Sequence, residues 1–145
     1  SKPMSCSVDG KDGKKIFVKM GSYGIGVSRL VGAIIEAKYI NDKMKWPLSV
    51  SPFDVVIIPA INKKDDTNIN KALKIYNELK KKGVDVLLDD VEEGIANKFK
   101  KHDLLGIPFQ IIIGSKSTED KFEFKEVGKD SKIIDSNQII KILRN

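Results

Sequence analysis

Two stretches of this chain carry residue types that can do chemistry. The first is Gly24-Ile25-Gly26-Val27-Ser28-Arg29. Glycines let a backbone approach a ligand closely and take up positive φ. A helix that starts just after them offers free N–H groups and the positive end of its dipole to an anion. Arg29 adds a planar, permanently charged fork near that end. Together these features suit a nucleoside triphosphate. They equally describe a tight strand-to-helix turn with a surface arginine. The stretch is not a dinucleotide fingerprint, because Arg29 stands where that motif needs its third glycine. No P-loop Lys-Ser/Thr pair follows it.

The second stretch is Asp89-Asp90, followed by Lys98-Phe99 and His102. The aspartates read as a catalytic carboxylate pair, as acceptors facing nucleic-acid bases, or as a strand-end turn. His102, beside Lys101, reads as a surface or capping residue, since no Ser or Cys nucleophile pairs with it in a motif. A zinc site needs about four ligands at close spacing. The chain has one histidine and one cysteine, so no metal site is expected. The lone Cys6 rules out an internal disulfide and fits a reducing cytoplasm. Lys80-Lys81-Lys82 reads as a solvated helix end or as a contact to an RNA backbone.

The elements that must position these residues follow from periodicity. A strand is predicted at 15–20, after the turn-forming Asp9-Gly10-Lys11-Asp12-Gly13. The glycine turn leads into a helix over 27–39, with Val27, Leu30, Val31, Ile34 and Ile35 on one face. Residues 41–47 break it, and Trp46-Pro47 and Ser51-Pro52 punctuate an extended linker. Trp46 reads as a packing plug between two parts of the chain. A domain boundary is expected at 47/48, giving domains 1–47 and 48–145.

Beyond that boundary strand and helix alternate. Residues 53–59 form a β-branched run, and 63–68 a polar loop. A helix over 70–82 turns Ala72, Leu73, Tyr76 and Leu79 inward and stops at Gly83. A strand at 84–88 precedes a helix at 92–102. A third strand spans 107–113, an alternating edge strand 121–127, and a last helix 136–144 with Ile139, Ile140 and Leu143 inward. The order is β-α-β-α-β-β-α, an α/β arrangement around a parallel or mixed sheet. Such sheets bind ligands at the carboxyl ends of their strands. Here those ends are Pro59-Ala60, Asp89-Asp90 and Gly114-Ser115.

Composition narrows the function classes. Hydrophobic residues at 41% provide for a real core, and no apolar run reaches the roughly 20 residues that span a bilayer. The net charge of +6 suits a polyanionic partner, because lysines that meet phosphates release counterions. A lysine-rich surface also keeps a protein soluble. The N-terminus Ser1-Lys2-Pro3-Met4-Ser5 lacks the apolar stretch of a signal peptide and reads as a cut inside a longer protein.

Against this background, residues 20–37, Met-Gly-Ser-Tyr-Gly-Ile-Gly-Val-Ser-Arg-Leu-Val-Gly-Ala-Ile-Ile-Glu-Ala, resemble motif 3 of the bacterial, class II prolyl-tRNA synthetases. Trp46-Pro47 and Ser51-Pro52-Phe53-Asp54-Val55-Val56-Ile57-Ile58-Pro59 are similar to that family's entry into its anticodon-binding domain. Val86-Leu87-Leu88-Asp89-Asp90, Lys98-Phe99 and Asp103-Leu104-Leu105-Gly106-Ile107-Pro108 continue in register. The resemblance implies a mixed sheet of about five strands flanked by three helices, preceded by a strand–helix remnant of the catalytic domain.

It also implies roles. Arg29 would grip ATP phosphates, Gly24 and Gly26 would line the ATP and aminoacyl-adenylate pocket, and Ser22 and Tyr23 would lie on its amino-acid side. Asp89, Asp90, Lys98 and Phe99 would face the anticodon: carboxylates toward base edges, Lys98 toward phosphate, Phe99 stacked on a base. The partners implied are tRNA for proline and, for the full-length enzyme, L-proline and ATP with Mg2+. A homodimer is implied for the full-length enzyme and a monomer for this piece. No tightly bound cofactor is expected here, since nothing resembles class II motifs 1 and 2. The family's arginines after Asp-Asp are absent, because Val91-Glu92-Glu93-Gly94-Ile95 stands there; either Lys98, Lys100 or Lys101 substitutes for them, or anticodon discrimination is weaker in this chain. Two other readings compete: a synthetase-derived, non-catalytic accessory domain, and a stand-alone nucleotide-binding α/β domain.

Overall fold

The computed structural model describes residues 1–40, 42–61 and 66–144. Residues 63–65 of the polar loop read at 63–68, and Asn41 of the helix break, lie outside the described residues. The chain divides into two compact bodies, Ser1–Val31 and Gly32–Asn145.

In the first body, strands β1 (Ser7–Asp9) and β2 (Lys15–Phe17) form an antiparallel hairpin in the register Val8↔Ile16. The predicted turn closes it: Gly10 N–H donates to Lys14 O at 2.8 Å, and Gly13 sits at φ +73°. The strand predicted over 15–20 is shorter, since the ladder ends at Phe17 and Val18 N–H makes one last bond to Cys6 O. Residues 18–26 have no regular structure. Helix α1 (Val27–Lys38) begins where the glycines end and runs across the division between the bodies. The apolar face expected of it is not buried: Val27, Leu30, Val31 and Ile35 are exposed.

In the second body, a small ribbon of β3 (Tyr39–Ile40) and β4 (Lys43–Met44) turns at Asp42, which has φ +59°. The remaining elements are β5 (Val55–Pro59), α2 (Thr67–Lys81), β6 (Val86–Leu88), α3 (Ile95–Leu105), β7 (Phe109–Ile113), β8 (Lys121–Glu126), β9 (Lys132–Asp135) and α4 (Ser136–Arg144). They build one mixed sheet in the order β6-β5-β7-β8-β9. β5 runs parallel to β6 and β7, while β8 and β9 are antiparallel additions. The segment reading contains four of these strands. The fifth, β9, is a four-residue edge strand with half its length exposed, too short for its alternation to register in sequence.

Strand periodicity divides the core into two layers. Val55 and Ile57 of β5, and Phe109, Ile111 and Ile113 of β7, face α2 and α4. Phe122 and Phe124 of β8 join them, and Phe109 stacks on Phe124 with ring centroids 5.4 Å apart. Val56 and Ile58 face the other way, with Ile107, Phe53, Leu87, Ile95 and Phe99. Burial on both faces is why β5 reads as an unbroken apolar run. The buried face of α2 is Ala72, Ile75 and Leu79, with Tyr76 at its edge. Leu73, expected inward, is 42% exposed, because the helix is rotated toward Ile75.

Candidate nucleic-acid interface

Parallel strands β5 and β6 end side by side, and the ladder runs one residue past β6 through Asp89 N–H to Ile57 O at 3.0 Å. Helix α3 packs over this end. Gly94 caps it, and Ile95, Lys98, Phe99 and His102 recur at helical spacing on one face. That face turns two polar side chains into the protein. Lys98 has no exposed surface and His102 is 1% exposed.

An uncompensated buried ammonium is costly, so the polar groups around Lys98 matter. Its Nζ donates to Asp89 O at 2.9 Å and to Pro59 O at 3.3 Å, and lies 3.5 Å from Asp89 Oδ1. One lysine thereby ties together the carboxyl ends of two neighbouring strands. His102 Nε2 lies 2.6 Å from Asp89 Oδ2. A ring nitrogen facing a carboxylate carries the proton, so Nε2–H is the assigned donor. Asp89 Oδ1 also accepts Val91 N–H at 3.3 Å, which sets the first bend of the following loop. Lys101 Nζ reaches Asp89 Oδ2 at 3.6 Å and Glu93 at 3.7 Å from the solvent side. Burial pushes the Asp89 carboxyl up. The His102 hydrogen bond, the Lys98 charge and the Val91 N–H together outweigh it and hold the group below its ordinary value.

The structure separates the residues read together as Asp89-Asp90. Asp89 is 5% exposed and engaged inside, whereas Asp90 is exposed, so they do not form a carboxylate pair. Lys98 is spent on carbonyls and Asp89, and has no surface for a phosphate. Phe99 is half-buried: it packs with Val56, Ile58 and Ile107 and keeps an outward edge. His102 is not the surface residue read from its lysine neighbours. Its spacing of four from Lys98 and seven from Ile95 was the available signal. Trp46 holds the end of α3, with Nε1 donating to Leu105 O at 3.1 Å and its backbone N–H to Gly106 O at 2.9 Å. These bonds satisfy carbonyls that a helix terminus leaves open.

The outward edge of Phe99 belongs to an open depression of about 340 Å³ on the α3 side of the sheet, lined also by Ile112, Glu123, Lys125, Lys129, Asp130 and Ser131. β8 builds its floor by alternation: Phe122 and Phe124 go to the core, leaving Glu123 and Lys125 on this face. Ser131 Oγ donates to Glu123 at 2.7 Å, and Lys129 pairs with Glu126 at 2.8 Å. An aromatic edge beside cationic and acceptor groups suits an unstacked base and its phosphate. Sequence reasoning missed Lys125 and Lys129, although the Phe-Glu-Phe-Lys alternation of β8 carried the signal for Lys125.

Ser22, Tyr23, Gly24, Gly26 and Arg29 all lie in the first body, close in sequence and all exposed; Tyr23 is 96% exposed. α1 opens directly after Gly26, whose carbonyl accepts Leu30 N–H. A Cβ added at Gly24 would meet nothing within 4 Å, so no wall stands close there. Arg29 and the first α1 amides suit a polyphosphate chemically. Among the described residues, none stands close enough to Gly24 to form the far side of a nucleotide site. Among the described residues no His/Cys/Asp/Glu cluster is placed to hold a metal ion. None of the described helices is long and apolar enough to cross a membrane.

The sheet order, the two-sided burial of β5 and the helix lying across the strand ends define an α/β domain built on a mixed five-stranded sheet. The family described as "Anticodon binding domain" matches residues 54–145, and the chain belongs to that family. The full chain is 52% identical over 145 residues to the proline--tRNA ligase of Pelagibacter ubique, covering 99% of this chain and 33% of that protein. Proline--tRNA ligases of Leuconostoc citreum and Bradyrhizobium diazoefficiens are 46% and 47% identical over 125 and 127 residues, covering 86% of this chain each and 22% and 28% of those proteins. The chain spans a third or less of the length of these relatives.

Proposed function

We propose that this chain is the anticodon-binding part of a proline–tRNA ligase, with residues 1–47 the end of its catalytic domain and 48–145 the module that holds the tRNA. The observation that carries this is the 52% identity to a proline--tRNA ligase from one end of the chain to the other, spanning both bodies. The net charge of +6 supports an RNA partner. The full-length enzyme would join L-proline to its tRNA using ATP with Mg2+, in the cytoplasm, as a homodimer. In it Arg29, Gly24, Gly26, Ser22 and Tyr23 would form one wall of the ATP and adenylate pocket.

Within the anticodon module the roles divide by burial. Asp90 and the outward edge of Phe99 face the RNA together with Lys125 and Lys129. Asp89 and Lys98 work from inside, holding the loop and α3 in place. The missing arginines after Asp90 leave Lys125 and Lys129 of the depression, with the exposed Lys100 and Lys101 of α3, to supply positive charge.

Filter binding of the tRNA for proline against a copy with an altered anticodon, at stated salt, tests the reading. Preference for the unaltered tRNA is expected; equal affinity would leave only general electrostatics. The isolated chain is expected to give no ATP–pyrophosphate exchange, because charge stabilisation of a transferring phosphoryl group needs several groups acting together. Clear turnover would contradict that division of labour.

A further inference from the structure

We propose that His102, Asp89 and Lys98 form a buried brace whose task is to fix the direction of the loop at 90–94, making His102 a positioning residue for RNA recognition. This rests on the anticodon-binding reading.

The geometry is directional. Asp89 has two carboxylate oxygens with separate partners. Oδ2 is held by His102 Nε2 at 2.6 Å, and Oδ1 lies 3.5 Å from Lys98 Nζ and accepts Val91 N–H at 3.3 Å. The histidine bond sets the plane of the carboxylate, and that plane sets where Oδ1 meets Val91. Val91 is the second residue of a loop whose Asp90, Val91, Glu92 and Gly94 are all exposed. Lys98 adds the second constraint by binding the carbonyls of both Pro59 and Asp89. Rotation of the Asp89 backbone would therefore break a bond on each side of the loop's origin. Phe99 follows Lys98 directly on α3, so the brace also fixes the aromatic edge at the depression.

Packing alone would be served by an apolar trio, because a buried ion pair seldom outperforms well-packed hydrophobic residues in stability. A polar trio specifies one geometry where an apolar one tolerates several. The buried Nδ1 of His102 has no partner among the described residues, so this ring gains its polar satisfaction through Nε2. That bond is consequently the one to cut.

The test uses this chain, a transcript of the tRNA for proline and an anticodon-altered transcript, at a temperature where circular dichroism shows each variant folded. The wild type is measured first. If it binds both transcripts equally, the anticodon reading fails and the recognition role falls with it. If it discriminates, His102→Leu is expected to lose about tenfold in affinity for the unaltered transcript and to speed exchange of the Val91 amide. His102→Gln, whose amide can still donate to Asp89, is expected to recover most of both. A folded His102→Leu with unchanged affinity, or with an unchanged Val91 amide, overturns the brace while leaving the reading intact. Should His102→Leu not fold, His102→Phe keeps an aromatic ring in the same buried space while removing the Nε2 donor to Asp89. Faster Val91 exchange with weaker discrimination is then expected, and no change in either overturns the proposal.

Discussion

His102 Nε2 and Asp89 Oδ2 lie 2.6 Å apart, joining the third turn of α3 to the end of β6 across 13 residues of sequence. Both side chains are buried, and Lys98 fills the remaining space with a charge of opposite sign to Asp89. The consequences for stability, titration and binding can be measured separately.

Neutralising the carboxylate strands a buried ammonium. Asp89→Asn should cost about 3 kcal/mol of folding free energy, in the range for breaking one side of a buried pair. Urea denaturation would show it. Combining it with Lys98→Met should recover part of the loss, because the double variant leaves no lone charge inside.

Asp89 titrates below its ordinary value in the fold, so it binds a proton less readily folded than unfolded. Its contribution is fully present above the ordinary aspartate pKa of about 3.9. It decays as pH falls below that value and is gone once pH drops through the lower folded value. Glu126 behaves the same way: burial raises it, but Lys129 and Lys45 lower it further. Stability measured from pH 6 downward should therefore fall steeply in the acid range. Asp89→Asn should show a shallower acid limb, and an identical slope would contradict this account.

Two glycines at positive φ should respond differently to alanine. Gly128 sits at φ +84° with open space around it, so Gly128→Ala should cost about 1–2 kcal/mol, the left-handed penalty alone. Gly106 caps α3 at φ +68°, and an added Cβ would lie 2.6 Å from Met44 Sδ and 3.0 Å from Met44 O. Gly106→Ala should cost clearly more. Thermal unfolding of the two variants gives the order.

The rotation of α2 predicts a contrast between leucines. Leu79 is fully buried, so Leu79→Ala should cost about 2–5 kcal/mol. Leu73→Ala should stay within about 0.5 kcal/mol, because its side chain is on the solvent side. Equal losses would mean that the helix faces the way its sequence first suggested.

On the RNA side, Lys125→Ala should weaken tRNA binding without changing which anticodon is preferred. The slope of log affinity against log salt should fall by about 1, as for the loss of one phosphate contact. A change of preference would instead make Lys125 a reader of bases.

The sequence by itself determined the alternation of strands and helices, the doubly buried β5 and the family. Those signals are local: a period of two or 3.6, a glycine stop, and ordered motifs. Resemblance also brought Asp89, Lys98 and Phe99 into one segment, though not their division into inner and outer roles. Only the tertiary structure decided that Lys98 and His102 point inward, that Asp89 and Asp90 part company, and that Lys125 and Lys129 flank Phe99. Charge and polarity ordinarily send such residues to solvent. Their burial depended on carbonyls and a carboxylate that three different elements bring to one point, and no window of sequence contains all three.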